Sequence, residues 1–198
     1  MTPVKPKSLM VWIDMEMSGL DPEKEHILEI ATIITNWDLE IIEEGPDLVV
    51  HQPNRVLKGM DDWNQKQHKK SGLIEEVRKS KMSVKRAEKL TLEFIRNHCV
   101  AKQSLLCGSA VHHDRRFLIK YMPKVSEFLH YRHVDVSSIK ALVSNWYPKN
   151  KELPKKTENH RALSDIRESI DELRYYRKTY FIEKWEPTAL HSHAHSRS

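Results

Sequence analysis

Glycine is scarce in this chain, at 5 residues in 198. Neither G-x-x-x-x-G-K-[ST] nor G-x-G-x-x-G occurs, so the common glycine-rich cradles for nucleotide phosphates are excluded. Cysteine is scarcer still. Cys99 and Cys107 have no C-x-x-C spacing and cannot build a disulfide framework, so they read as two packed thiols in a reducing compartment. No H-E-x-x-H and no serine nucleophile elbow is present, which removes the usual zinc-protease and serine-hydrolase readings. No apolar run approaches the ~18 to 20 residues that cross a bilayer. The start, "MTPVKPKSLMVWID", resembles neither a secretory signal nor an Arg-rich transit peptide, so a soluble, cytoplasmic protein is expected.

Charge is what the chain has in quantity: Lys and Arg number 33 against 28 Asp and Glu, a net charge of +5. That balance permits a polyanionic ligand without demanding one. The length suits one domain with a sizeable core. We expect an arm over 1–8, a domain over 9–182 and a tail over 183–198. The tail carries His191, His193 and His195; alternating histidines can bind metal, and a frayed end or cloning remnant is the plainer reading.

The first third reads as β. Residues 10–14 form a short strand, "HILEIATIITNW" a longer one, and "LEIIEEGPDLVVHQ" a third that should bulge near Gly45-Pro46. Short links suggest an antiparallel meander. "MSVKRAEKLTLEFIRNHC" then turns helical, with Ala87, Leu90, Phe94 and Ile95 on one face and Ser83 as N-cap. "SLLCG" reads as a strand, "DRRFLIKYMP" as a helix stopped by Pro123, "YRHVDVSS" as a strand and "IKALVSNW" as a helix. A final helix carries Leu163, Ile166, Ile170 and Leu173 on one stripe. The expected class is α/β: a mixed sheet with a three-strand meander, flanked by helices.

Asp14 and Glu16 stand one residue apart in "VWIDMEMSGLDP" and share a side if the strand continues through them. Two adjacent carboxylates repel unless a cation separates them, and Mg²⁺ prefers such oxygen donors. Solvated acids at a strand end are the plain alternative. Asp114 opens a helix and could simply cap it. His160 precedes Asp165 by five residues, roughly 140° apart on an ideal helix. To share a site, His160 must sit in the loop before the last helix and Asp165 in its first turns. Together the four acids and the histidine fit one chemistry. Paired cations can stabilise the attacking and leaving oxygens of a phosphodiester, and a histidine can take the proton from water.

The blocks "WIDMEMSGLDP", "ILEIATIIT", "EGPDLVVHQP", "MDDWN", "KSGL", "DRRFLIKYMP", "LHYRHVDVSS" and "HRALSDIRESIDELRYYR" fall in order from about residue 9 to 181. This series resembles the DEDDh exonucleases, and within them the oligoribonuclease family. The resemblance implies a ribonuclease H-like fold and 3′→5′ hydrolysis of very short RNA, dinucleotides especially, to 5′-mononucleotides. It implies Asp14, Glu16, Asp114 and Asp165 as ligands of two Mg²⁺ or Mn²⁺ ions, and His160 as general base. It also implies Leu20 and Trp63 against the substrate bases with His68 nearby, although alone Leu20 and Trp63 read as core or turn packing. Arg132, Ser137 and Ser138 would hold a 5′ phosphate, while Ser137 could equally be an N-cap. Tyr131 matches a tyrosine that reaches across a homodimer.

Two departures stand out. The family reads "GNS" before its third acid, where this chain has Ser109 and Ala110 in "CGSAVHHD"; Ser164 stands where an aspartate usually precedes Asp165. His112 and His113 beside Asp114 are unusual and read as solvated helix-start residues. Two other functions fit less: a HAD-type phosphatase with Asp14 as nucleophile, which lacks its downstream motifs, and a non-catalytic nucleic-acid-binding relative, for which four converging acids have no use.

Overall fold

The structure, a computed structural model, describes residues 8–147 and 160–181. The histidines of the tail and most of the loop "YPKNKELPKKTEN" lie outside the described residues. β1 (Met10–Met17), β2 (Ile27–Thr35) and β3 (Ile41–Val49) form the expected antiparallel meander. β4 (Leu105–Gly108) and β5 (His133–Asp135) add in parallel on the other side of β1, giving the order β3-β2-β1-β4-β5. The third strand bulges as expected: Ala31 pairs with Asp47 but Ile33 with Glu44, so the extra residue falls at Gly45-Pro46. Gly45 also admits the ring of Phe94, which a Cβ there would overlap.

β1 alternates cleanly, and this alternation sorts the core. Val11, Ile13, Met15 and Met17 face one helical layer, together with Phe117 and Leu118 of α5 (His112–Tyr121) and Ala87, Leu92 and Ile95 of α4 (Val84–His98). Met10 and Trp12 face the other, with Ala162, Ile166, Ile170, Leu173 and Tyr176 of α8 (Ala162–Tyr180) and Val136 and Val143 of α7 (Val136–Trp146). The expected stripe of the last helix is therefore its core face, with Leu163 only partly buried at its edge. In α4 the buried face runs through Thr91 and Leu92, while Leu90 and Phe94 are half-buried. Ser83 caps α4 as expected, its side chain accepting from Arg86 N.

Four short helices go beyond the sequence expectation. Pro123 ends α5 but also opens α6 (Pro123–Phe128) at its first turn, where proline's missing N–H costs nothing. Three short helices, α1 (Asn54–Gly59), α2 (Asp62–Lys70) and α3 (Leu73–Lys79), bridge β3 to α4. They are short and mostly polar, so they show little periodicity; their apolar residues Leu57, Met60, Leu73 and Val77 pack with Leu28 in a small separate cluster. No helix among the described residues is long and apolar enough to cross a membrane.

Candidate active site

Asp14 and Glu16 occupy the α8-facing side of β1, in line with Met10 and Trp12, where the strand leaves the apolar core. Both are half-buried. The strand runs on to Met17, so the two carboxylates share a face. α8 then brings its N-terminus to the same place. His160 precedes the helix and Asp165 sits in its first turn, the arrangement that their spacing requires. One ligand atom each of Glu16, His160 and Asp165 lies within 4.8 Å of the others. Asp14 and Asp114 do not belong to that trio.

Asp114 is not a helix cap. α5 starts at His112 with Val111 as its N-cap, and Asp114 is 4% exposed with Oδ1 accepting from Met15 N at 3.1 Å. The capping alternative is set aside, because the carboxylate reaches across to β1 and is not the N-cap of α5. Burial drives its pKa up to about 8, against the pull of two backbone N–H donors. Glu16 is also raised to about 8, first by burial, then by Asp165, Glu29 and Asp114. Hard oxygen donors crowded until their own charges oppose ionisation are a donor set suited to a divalent cation.

Around this group the expected substrate residues separate into three sets. Trp63 on α2 meets the His160 ring edge-on at 5.7 Å between centroids, and it is 59% exposed. Leu20 is equally exposed, so neither is core packing. His68 is buried: Nε2 bonds with the Met17 carbonyl at 2.9 Å, and Nδ1 stands 3.7 Å from Glu16 Oε2, too far for a hydrogen bond. Burial lowers the His68 pKa, so this neighbour of Glu16 is a neutral ring rather than an ion-pair partner.

The third set lies at the ends of β4 and β5. Asp135, not Ser137, caps α7. Its Oδ1 accepts from Ser137 N at 2.9 Å, Ser137 Oγ at 2.6 Å and Ala110 N at 3.0 Å. The Ser137 hydroxyl proton is thereby committed within the protein. Arg132 and Ser138 are exposed, as is Tyr131, which stacks on His130 and lies under the Arg132 guanidinium at 5.4 Å. His112 is exposed as expected, whereas His113 is half-buried with an unpartnered Nδ1, and the two rings lie 3.9 Å apart. A cavity of about 720 Å³ between the Trp37–Leu39 turn and the C-terminal half of α8 contains none of these residues.

A family model described as an exonuclease matches residues 11–173. An oligoribonuclease from Ruthia magnifica is 50% identical over 88% of this chain and 97% of its own length. One from Bordetella pertussis is 51% identical over 85% and 93%. The chain belongs to the exonuclease family, among the oligoribonucleases. Among solved structures, a moderately thermophilic exonuclease I from Methylocaldum szegediense superposes with a TM-score of 0.65 at 17% identity. It matches 87% of this chain, which spans 41% of that longer one, and the likeness shows a shared fold.

Two residues of this oligoribonuclease-family site escaped the sequence reading. Glu29 on β2 pairs in register with Glu16 and is fully buried. Arg161 binds it in a fork, Nε and Nη2 to Oε1 at 2.9 and 2.7 Å. The signal was there: an acid inside "ILEIATIIT" has no place in a buried strand without a partner.

Proposed function

We propose that this chain hydrolyses very short RNA from the 3′ end, dinucleotides especially, releasing 5′-mononucleotides. The observation that carries the reading is the convergence of Glu16, Asp165 and His160 under Trp63, in a chain 50% identical to oligoribonucleases. Asp14, Glu16, Asp114 and Asp165 would hold two Mg²⁺ or Mn²⁺ ions. Such cations stabilise negative charge on the attacking and leaving oxygens of a phosphodiester. His160 takes the proton from the attacking water, the water oxygen bonds to phosphorus as the P–O3′ bond breaks, and the leaving O3′ takes a proton from solvent to become a 3′-hydroxyl. Exposed Trp63 and Leu20 receive the bases; stacking on an aromatic face tolerates any base, as an enzyme that finishes every sequence requires. His68 lies near that base site, its ring held by the Met17 carbonyl beside Glu16.

The 5′ end would rest on Arg132 and Ser138, with Ser137 ordering the pocket through Asp135. A pocket closed there favours substrates of two residues, because a longer chain has nowhere to continue. We further infer a homodimer with Tyr131 reaching the partner's site, a cytoplasmic location, and a catalytic domain over 9–182 flanked by the arm and tail.

The test is incubation with a 5′-phosphorylated RNA dinucleotide and a longer RNA, with Mg²⁺ and then with EDTA. Expected are EDTA-sensitive release of mononucleotides, faster from the dinucleotide, and near-total loss in Asp14→Ala. Metal-independent cleavage, or undiminished cleavage by Asp14→Ala, would overturn the mechanism.

A further inference from the structure

We propose that Arg161 is a positioning residue that holds His160 over the carboxylates by forking two glutamates from different layers of the fold. Glu29 comes from the sheet and Glu76 from α3. Besides its bonds to Glu29, Arg161 reaches Glu76 through Nη1 to Oε1 at 3.0 Å and Nη2 to Oε2 at 2.9 Å. Glu29 Oε2 also accepts from Ala162 N at 3.0 Å, the first helical N–H of α8, which its own helix cannot satisfy. The turn that carries His160 is therefore tied at the next two residues to one buried carboxylate. Such a tie has a purpose, because His160 holds a φ of 47°, a left-handed conformation disfavoured for any residue with a side chain. Without an external clamp the turn relaxes, and the imidazole leaves the trio with Glu16 and Asp165.

The fork needs arginine. A guanidinium presents donors along two edges in one plane and so serves both carboxylates at once, whereas an ammonium is a point charge that cannot. Arg161 directs its donors to Glu29 and Glu76, so it acts through His160. It also joins α3, packed beside the Trp63-bearing α2, to the sheet, so the aromatic platform and the base share one anchor.

The inference rests on the hydrolytic reading for its kinetic arm, and a second readout is independent of it. In Arg161→Met, kcat on the dinucleotide should fall about 30- to 100-fold with KM changed less than about threefold, since misplacing a catalytic group by ~1 Å costs about that much. Tm should fall too, because Glu29 is left buried without its cation. Arg161→Met with Glu29→Gln removes that orphan charge while keeping an acceptor for Ala162 N, so Tm recovers and kcat does not. Arg161→Lys should likewise regain Tm ahead of kcat. The His160 ring signals in the NMR spectrum should shift in all three variants. Recovery of kcat together with Tm, or His160 signals unchanged from wild type, would overturn the positioning role. An inactive wild type would instead sink the proposed function, and the ring signals would still test the fork.

Discussion

Raising the pH of EDTA-treated protein from 6.5 to 8 should lower its stability, and Mg²⁺ should cancel the loss. Glu16 in the fold titrates at about 8 against an ordinary 4.5. An acid raised in this way keeps its proton in the fold after the unfolded chain has released it. Its contribution is therefore full below pH 4.5 and lost as pH climbs to about 8. Over the upper part of that window one retained proton corresponds to about 2 kcal/mol, at ~1.4 kcal/mol per pH unit. Asp114, raised to about 8 from 3.8, acts in the same direction. Because the two carboxylates repel each other, their effects do not simply add. For a chain of this size 2 kcal/mol moves Tm by about 4 to 8 °C. The window starts at 6.5 because burial lowers the His68 pKa, and its contribution to the slope lies mainly below that pH. The assay is thermal unfolding of wild type and Glu16→Gln in EDTA and in Mg²⁺. Wild type should lose Tm with rising pH in EDTA, the variant should lose markedly less, and Mg²⁺ should raise the wild-type Tm more at pH 8 than at 6.5. Equal slopes in both proteins, or a Mg²⁺ effect independent of pH, would refute the electrostatic account.

Replacing His160 by Ala should cut kcat by about 10²- to 10⁴-fold, the usual range for a lost general base, as measured by mononucleotide release. Trp63→Ala removes an exposed ring, so Tm should hardly change while KM for the dinucleotide rises; a stacking contact of ~1 to 3 kcal/mol corresponds to about 5- to 150-fold. Ser109→Asn with Ala110→Ser restores a hydroxyl at a place where Ser137 is already committed to Asp135. It should tighten binding of a 5′-phosphorylated dinucleotide about 10- to 150-fold, one charge-assisted hydrogen bond of ~1.5 to 3 kcal/mol, and leave the unphosphorylated one unchanged in calorimetry. Gly45→Ala places a methyl against the Phe94 ring and should cost about 1 to 3 kcal/mol in denaturant unfolding.

The meander, the bulge at Gly45-Pro46 and the stripe of α8 were legible because each rests on local chemistry: β-branched alternation, a proline that cannot pair, and a helical period. Given that His160 and Asp165 share a site, their five-residue spacing required His160 before the helix and Asp165 in its first turn, where they stand. Where a residue's own type misled, its hydrogen-bond partner decided. Asp114 looks like a cap until β1 offers it Met15 N, and Ser137 looks like a cap until Asp135 takes that role. Leu20 and Trp63 look like packing because apolar side chains usually are; only the fold shows them turned outward. Residues 54–79 gave no periodic signal, since short polar helices are held by tertiary contacts such as Leu73 and Val77 against Leu28 rather than by their own pattern.

The in-register pairing of Glu16 with Glu29 makes the site a check on how the chain has folded. If β2 slipped by one residue against β1, every side chain on it would change faces, and Glu29 would point into the layer of Val11 and Phe117. Arg161 would lose its buried partner and Ala162 its acceptor. Such a molecule would bury an unpaired carboxylate in the other layer and would have no anchored base. Misregistered molecules would thus be both unstable and inactive, so a mispaired sheet cannot yield an enzyme of altered specificity.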